Sequence, residues 1–160
     1  MKLLKKLWSK RFKATPKFVP SLLLLFASIG VADAAYLTLK HLRGAYACSF
    51  STGCADVLTS KYATIYGVPI AILGLVYYLG IVALTLWYMD KKSPLALTLL
   101  SHATWAGFLV SIYLVSLQLF VINAICTFCI VSATTSTLLF ILGQYIAYYC
   151  HKTKQCDYKG

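Results

Sequence analysis

Apolar residues occur in four long runs, which short polar segments separate. The runs cover residues 18–39, 62–89, 94–122 and 126–149. Each run can cross a hydrocarbon core, which takes about 20 helical residues. Backbone groups in lipid must be hydrogen-bonded within their own segment, so each run is predicted to be a helix. We therefore expect an all-α membrane protein built as a bundle of four transmembrane helices.

The polar segments divide the chain into three parts. We expect a basic N-terminal segment at 1–17, a membrane domain at 18–149 and a tail at 150–160. Segment 40–61 is the one long connection inside the membrane domain, whereas 90–93 and 123–125 are tight turns. Pro69 falls near the start of the second helix and is expected to kink it.

Composition and charge agree with a membrane protein. The chain is 60% hydrophobic and 12% charged, with a net charge of +11. If four helices alternate in direction, twelve of the fifteen Lys and Arg residues lie on the side of the termini. The other three are Lys40, Arg43 and Lys61. The positive-inside rule then places both termini in the cytoplasm, and basic flanks of this kind anchor a membrane protein rather than bind nucleic acid.

The start of the first apolar run also resembles a signal peptide. Ala32 and Ala34 have the spacing of a cleavage site. The basic segment is long, however, and the apolar run continues past these residues through "YLTL". An uncleaved first helix is therefore the favoured interpretation.

This topology separates the six cysteines. Cys48 and Cys54 fall in the long outer segment, and Cys126 and Cys129 fall at the outer start of the fourth helix. Cys150 and Cys156 belong to the cytoplasmic tail, where free thiols are expected.

The sequence "CTFC" at 126–129 has the spacing of a redox pair or of half a metal site. At a helix N-terminus, the helix dipole and unpaired backbone N–H groups favour the thiolate. A low-pKa dithiol would thus lie where a lipid-soluble oxidant meets aqueous thiols. The loop pair could exchange electrons with this dithiol, two at a time, as a quinone accepts them. The alternatives are a structural disulfide at Cys48 and Cys54, or a zinc site formed by the four outer cysteines.

Hydrogen-bonding and aromatic residues recur at the outer ends of the predicted helices, at the depth of the CxxC. A flat quinone head group would need such a layer, although an ordinary interfacial aromatic belt has the same composition. Asp33 differs from the rest because an ionisable residue within a span is energetically costly. The candidate quinone-binding residues are Asp33, Ser60, Tyr66, Gln118 and Phe128.

The order of these motifs resembles the vitamin K epoxide reductase family, particularly its bacterial homologues. The resemblance rests on the loop cysteines, on "VLTSKYATIYGVPIAILGLVYY" and on "YLVSLQLFVINAICTFCIVSA", and it spans residues 21 to 149. It implies a four-helix bundle around a quinone, with the outer loop as a cap over the pocket. It also implies a membrane enzyme that oxidises a thioredoxin-like protein and supports disulfide formation outside the cytoplasm of a bacterium.

The resemblance further implies a role for each cysteine. Cys48 would exchange with the protein partner, Cys54 would pass electrons to Cys126, and Cys129 would face the quinone. Ser60 matches a family Ser/Thr near the quinone, with Thr59 as the neighbouring alternative. Many bacterial members carry a fused thioredoxin-like domain after the bundle, whereas this chain ends eleven residues after Tyr149. A separate partner protein is therefore expected.

Overall fold

The computed structural model describes residues 18–44, 53–65, 67–91 and 93–153. The basic segment 1–17, Cys48, Tyr66 and Cys156, on which predictions were made, lie outside the described residues. The helices are α1 (Phe18–Leu42), α2 (Gly53–Thr59), α3 (Ile70–Lys91), α4 (Pro94–Leu117) and α5 (Thr127–Thr153). The π-helix Gln118–Ile122 continues α4, and the strands are β1 (Thr64–Ile65) and β2 (Val68–Pro69).

Four of these segments are long and apolar enough to cross a membrane, which confirms the predicted architecture. They are Phe18–Leu42, Ile70–Lys91, Pro94–Ile122 and Thr127–Cys150. Large apolar side chains stay exposed on the outward faces of α3, α4 and α5, among them Val76, Leu109 and Ile141. Such an apolar exterior fits lipid as the surrounding solvent, so we describe the chain as a membrane protein.

The second long helix begins later than its apolar run. Strands β1 and β2 pair antiparallel, with Thr64 opposite Pro69, and Gly67 has a φ of 82°. That left-handed conformation suits glycine and interrupts a helix. The predicted kink at Pro69 is wrong, because Pro69 ends β2 directly before α3 begins and so interrupts no helical hydrogen bond.

The core lies between α1, α3, α4 and α5. Helix α1 packs against α3 and α5, and α4 packs against both of these helices. The Tyr78 ring lies directly against Gly30, where a Cβ atom would clash with it. The Tyr78 hydroxyl contacts the backbone oxygen of Ser132 at 2.7 Å and the Thr135 hydroxyl at 3.0 Å. Small residues and internal hydrogen bonds of this kind join helices in lipid.

A second, smaller cluster lies at one end of the bundle, which we call the cysteine end. Its buried members are Leu37, Cys54, Leu58 and Cys126, and they come from α1, α2 and the turn before α5. Helix α2 is thus part of a cap that covers this end of the bundle. The cap places one loop cysteine against one cysteine of the CxxC.

Candidate active site

A short sulfur–sulfur contact at the cysteine end joins the two predicted cysteine pairs. The Sγ atoms of Cys54 and Cys126 lie 3.3 Å apart, and both residues are fully buried. Cys54 is in a disulfide, whereas Cys126 and Cys129 are free thiols. A thiol next to a disulfide sulfur is the arrangement that thiol–disulfide exchange requires.

The turn that carries Cys126 is fixed by Gln118. The backbone oxygen of Gln118 accepts the N–H groups of Asn123 and Ala124, and Asn123 has the left-handed φ of 53° that ends the π-helix. The Gln118 side chain is buried, and its Oε1 accepts the N–H of Cys126 at 3.1 Å. One residue therefore binds the turn through its backbone and its side chain. π-Helical segments occur frequently at functional sites.

Cys126 is the N-cap residue of α5. Its backbone oxygen accepts the N–H of Ile130 at 3.1 Å, and its Sγ accepts the N–H of Cys129 at 3.4 Å. A hydrogen bond from the Cys129 thiol lowers the pKa of Cys126 to about 7, and the N–H groups of Cys129 and Phe128 add to this effect against the opposing effect of burial. The lowered pKa of Cys126 agrees with the thiolate-favouring environment expected at this helix N-terminus.

Cys129 lines a cavity of about 130 Å³. Cys126 is not among the residues that line the cavity. The two thiols of the CxxC therefore have different neighbours: Cys126 contacts Cys54, and Cys129 contacts the cavity. Polar side chains also line it, from His41, Ser60, Tyr62, Ser111, Gln118 and Ser132. The remainder of the wall is mostly aliphatic, as in small-molecule sites generally.

A sequence profile of the vitamin K epoxide reductase family matches residues 21–143. The chain belongs to the vitamin K epoxide reductase family. It is also 32% identical, over 121 residues, to the thiol-disulfide oxidoreductase LTO1 of Arabidopsis thaliana. That match covers 69% of this chain and 32% of the plant protein, so the chain spans about a third of its relative's length.

Two of the predicted quinone-binding residues of this family member line the cavity. They are Ser60 and Gln118. The Ser60 hydroxyl donates to the backbone oxygen of Val57 at 2.8 Å. Thr59, the alternative to Ser60, is exposed, donates to the Ala55 oxygen and does not line the cavity. Of these two hydroxyl residues, Ser60 is therefore the better candidate for contact with a quinone in the cavity.

Phe128 and Asp33 lie elsewhere. The Phe128 ring is tilted against the Tyr36 ring, with 4.8 Å between centroids, and it packs on the cysteine-end cluster. Asp33 is buried, and its Oδ2 has no hydrogen-bond partner among the described residues. Neither side chain lines the cavity. The structure therefore gives no direct support for quinone contact by these two residues.

His41 is a cavity-lining residue that sequence reasoning missed. The first apolar run ends at Leu39 in the sequence, so the pattern places His41 in the loop. Helix α1 continues to Leu42 and carries Ala34, Leu37 and His41 along one face of the cavity. These positions are three and four residues apart, a spacing that places them on one helix face and could have indicated His41 from the sequence.

The expectation of a free thiol at Cys150 is wrong, because Cys150 is in a disulfide. The predicted tail began at this residue, whereas α5 continues to Thr153. Cys150 is 3% exposed and belongs to the core cluster of the bundle. Packing thus holds its sulfur within the fold instead of leaving it in a solvated tail.

Proposed function

We propose that this protein is a quinone-dependent thiol oxidoreductase of a bacterial plasma membrane. It takes electrons from a thioredoxin-like protein outside the cytoplasm, passes them through Cys48 and Cys54 to Cys126 and Cys129, and reduces a quinone. The net reaction converts a partner dithiol and a quinone into a partner disulfide and a hydroquinone. The single observation that carries this proposal is the 3.3 Å contact between the sulfurs of Cys54 and Cys126.

The first exchange takes place on the loop pair. A thiolate of the reduced partner attacks Cys48 in a Cys48–Cys54 disulfide, and a second partner thiol then resolves the mixed disulfide. The partner leaves with its own disulfide, and the loop pair holds two thiols. Cys54 next attacks Cys126 in a Cys126–Cys129 disulfide. A Cys54–Cys126 bond forms, and Cys129 leaves as a thiolate.

The second exchange restores the loop pair. Cys48 attacks Cys54, the Cys48–Cys54 disulfide forms again, and Cys126 leaves as a thiolate. Its lowered pKa makes Cys126 a good leaving group. A Cys54 disulfide beside two free CxxC thiols, the combination in this structure, is the state that follows this step.

The quinone then accepts two electrons and two protons, and the CxxC disulfide is regenerated. The cavity suits a quinone because Cys129 lines it, whereas Cys126, which contacts Cys54, does not. Hydroxyl, amide and imidazole groups at Ser60, Gln118 and His41 supply hydrogen-bonding atoms for two carbonyl oxygens. Aliphatic side chains complete the wall.

The positions of the basic residues along the bundle support an orientation in which both termini are cytoplasmic. Lys91 ends α3 at one end of the bundle, where α4 begins, whereas Lys40 and Lys61 lie near the opposite, cysteine end. Together with the basic segment 1–17, this distribution favours cytoplasmic termini and cysteines outside the cytoplasm.

The test is quinone absorbance during turnover. Purified protein receives an excess of a small dithiol and a soluble ubiquinone or menaquinone analogue, and the control is the double variant Cys126→Ala/Cys129→Ala. We expect catalytic reduction of one of these quinones by wild type and none by the control. A folded wild-type protein that reduces neither quinone would contradict the proposal. A non-catalytic membrane protein with structural disulfides, or a zinc site, would then be the better explanation.

A further inference from the structure

Gly53, the first residue of α2, lies directly against the turn that carries Cys126. A Cβ atom at this position would be 2.8 Å from the backbone oxygen of Ile125, 3.0 Å from its nitrogen and 3.4 Å from the Ala124 Cβ. Two of these three atoms are backbone atoms, which cannot turn aside as the end of a flexible side chain can. A methyl group would have to move away by about 0.6 Å to reach an ordinary contact of 3.4 Å with the Ile125 oxygen.

The conformation of Gly53 does not itself require glycine. Gly44 and Gly67 are the glycines with positive φ in the described part of the chain, and Gly53 is not one of them. An L-residue could therefore adopt its backbone angles. What Gly53 provides is the absence of a side chain at the closest approach between α2 and the turn.

The turn on the other side of this contact cannot easily yield. Asn123 and Ala124 are bound to the Gln118 backbone oxygen, and Cys126 is bound to the Gln118 side chain. A side chain at position 53 would thus displace α2 rather than the turn. Cys54, the next residue of α2, would move with it.

We propose that Gly53 is a positioning residue for electron transfer between the two cysteine pairs. Its missing side chain lets α2 approach the turn closely enough for Cys54 Sγ to meet Cys126 Sγ. This inference rests on the proposed relay and adds to it the element that sets the sulfur–sulfur distance. Exchange needs close, aligned sulfurs, so a small displacement of Cys54 slows that step while Cys126 and Cys129 stay in place.

The test compares Gly53→Ala with Gly80→Ala, whose added Cβ would meet no atom within 4 Å. Both variants also carry Cys48→Ala, so that a Cys54–Cys126 bond, once formed, is not resolved by Cys48. The CxxC is oxidised with diamide, excess oxidant is removed, and formation of the Cys54–Cys126 disulfide is followed over time by peptide mass mapping. We expect Gly53→Ala to slow this reaction by about tenfold or more, as displacements below 1 Å can do, and Gly80→Ala to match the parent.

A second measurement separates positioning from folding. Quinone reduction by a small dithiol that reaches the CxxC directly is measured in Gly53→Ala and in Gly80→Ala. We expect the two variants to keep similar activity. If Gly53→Ala loses activity that Gly80→Ala retains, Gly53 supports the fold in general and the proposal is wrong. It is equally wrong if Gly53→Ala forms the Cys54–Cys126 disulfide at the parent's rate.

These outcomes are distinguishable from a failure of the proposed function. Diamide oxidises the CxxC without any quinone, so the disulfide readout does not depend on the natural acceptor. If wild type reduces no quinone but the linkage forms and Gly53→Ala slows it, the quinone assignment fails and the role of Gly53 stands.

Discussion

Cys126 combines two contacts that a redox cysteine needs. Its sulfur caps the N-terminus of α5 by accepting the N–H of Cys129, and it touches the sulfur of Cys54. The first contact stabilises the thiolate, and the second gives that thiolate a disulfide sulfur to exchange with. The sequence alone indicates the first contact, since a CxxC at a helix start implies it. It does not indicate which loop cysteine meets which CxxC sulfur, because that depends on how α2 packs.

The lowered pKa of Cys126 leads to a prediction at the scale of one residue. In the reduced protein, the Cys126 thiolate should form as pH rises through about 7. A pH titration of the thiolate's ultraviolet absorbance, with Cys126→Ala as the blank, measures the midpoint. Cys129→Ala removes the hydrogen bond that contributes most to the shift, so its midpoint should be higher. A wild-type midpoint at the ordinary cysteine value of about 8.5 would contradict this account of the site.

At the scale of elements, the long helices are predictable from the sequence and the cap is not. Each long run is identified by its length in apolar residues, which lipid selects directly. Helix α2 has seven residues, too few to be stable alone, and Cys54 and Leu58 anchor it on the bundle. Its existence therefore depends on tertiary packing that no local pattern reveals. The same holds for Phe128 and Cys129, adjacent residues of which only Cys129 lines the cavity.

The cavity wall on α5 provides a prediction about the quinone. Ala133 lines the cavity, and Val131 on the same helix is exposed on the outer surface. Ala133→Trp should fill the cavity and raise the KM for a soluble quinone by about tenfold or more, which corresponds to ~1.4 kcal/mol of lost binding. Val131→Trp is the matched control and should leave the KM unchanged.

Steady-state kinetics with varied quinone at a fixed dithiol concentration measure this effect. Formation of the Cys54–Cys126 disulfide in the Cys48→Ala background should stay normal in both tryptophan variants, because neither residue belongs to the cluster that surrounds these sulfurs. An unchanged KM in Ala133→Trp would place the quinone outside this cavity.

At the scale of the whole molecule, the fold arranges the chemistry in order of depth. The α2 cap brings Cys54 to the cysteine end, the turn holds Cys126 beneath it, and Cys129 lies next against the cavity inside the bundle. Electrons that enter from water through the loop pair would thus move toward the apolar phase with each exchange. Family membership fits this arrangement and could be inferred from the order of the motifs. The distance between the two cysteine pairs required the structure.

The most direct test of this relay is to trap its central intermediate. In Cys48→Ala, Cys54 can attack the Cys126–Cys129 disulfide, but no loop cysteine remains to resolve the product. Mass mapping of the non-reduced, quinone-oxidised variant should find Cys54 linked to Cys126, with Cys129 as a free thiol. A linkage from Cys54 to Cys129 instead, or an intact Cys126–Cys129 disulfide beside an unreacted Cys54 thiol, would contradict the electron route proposed for this protein.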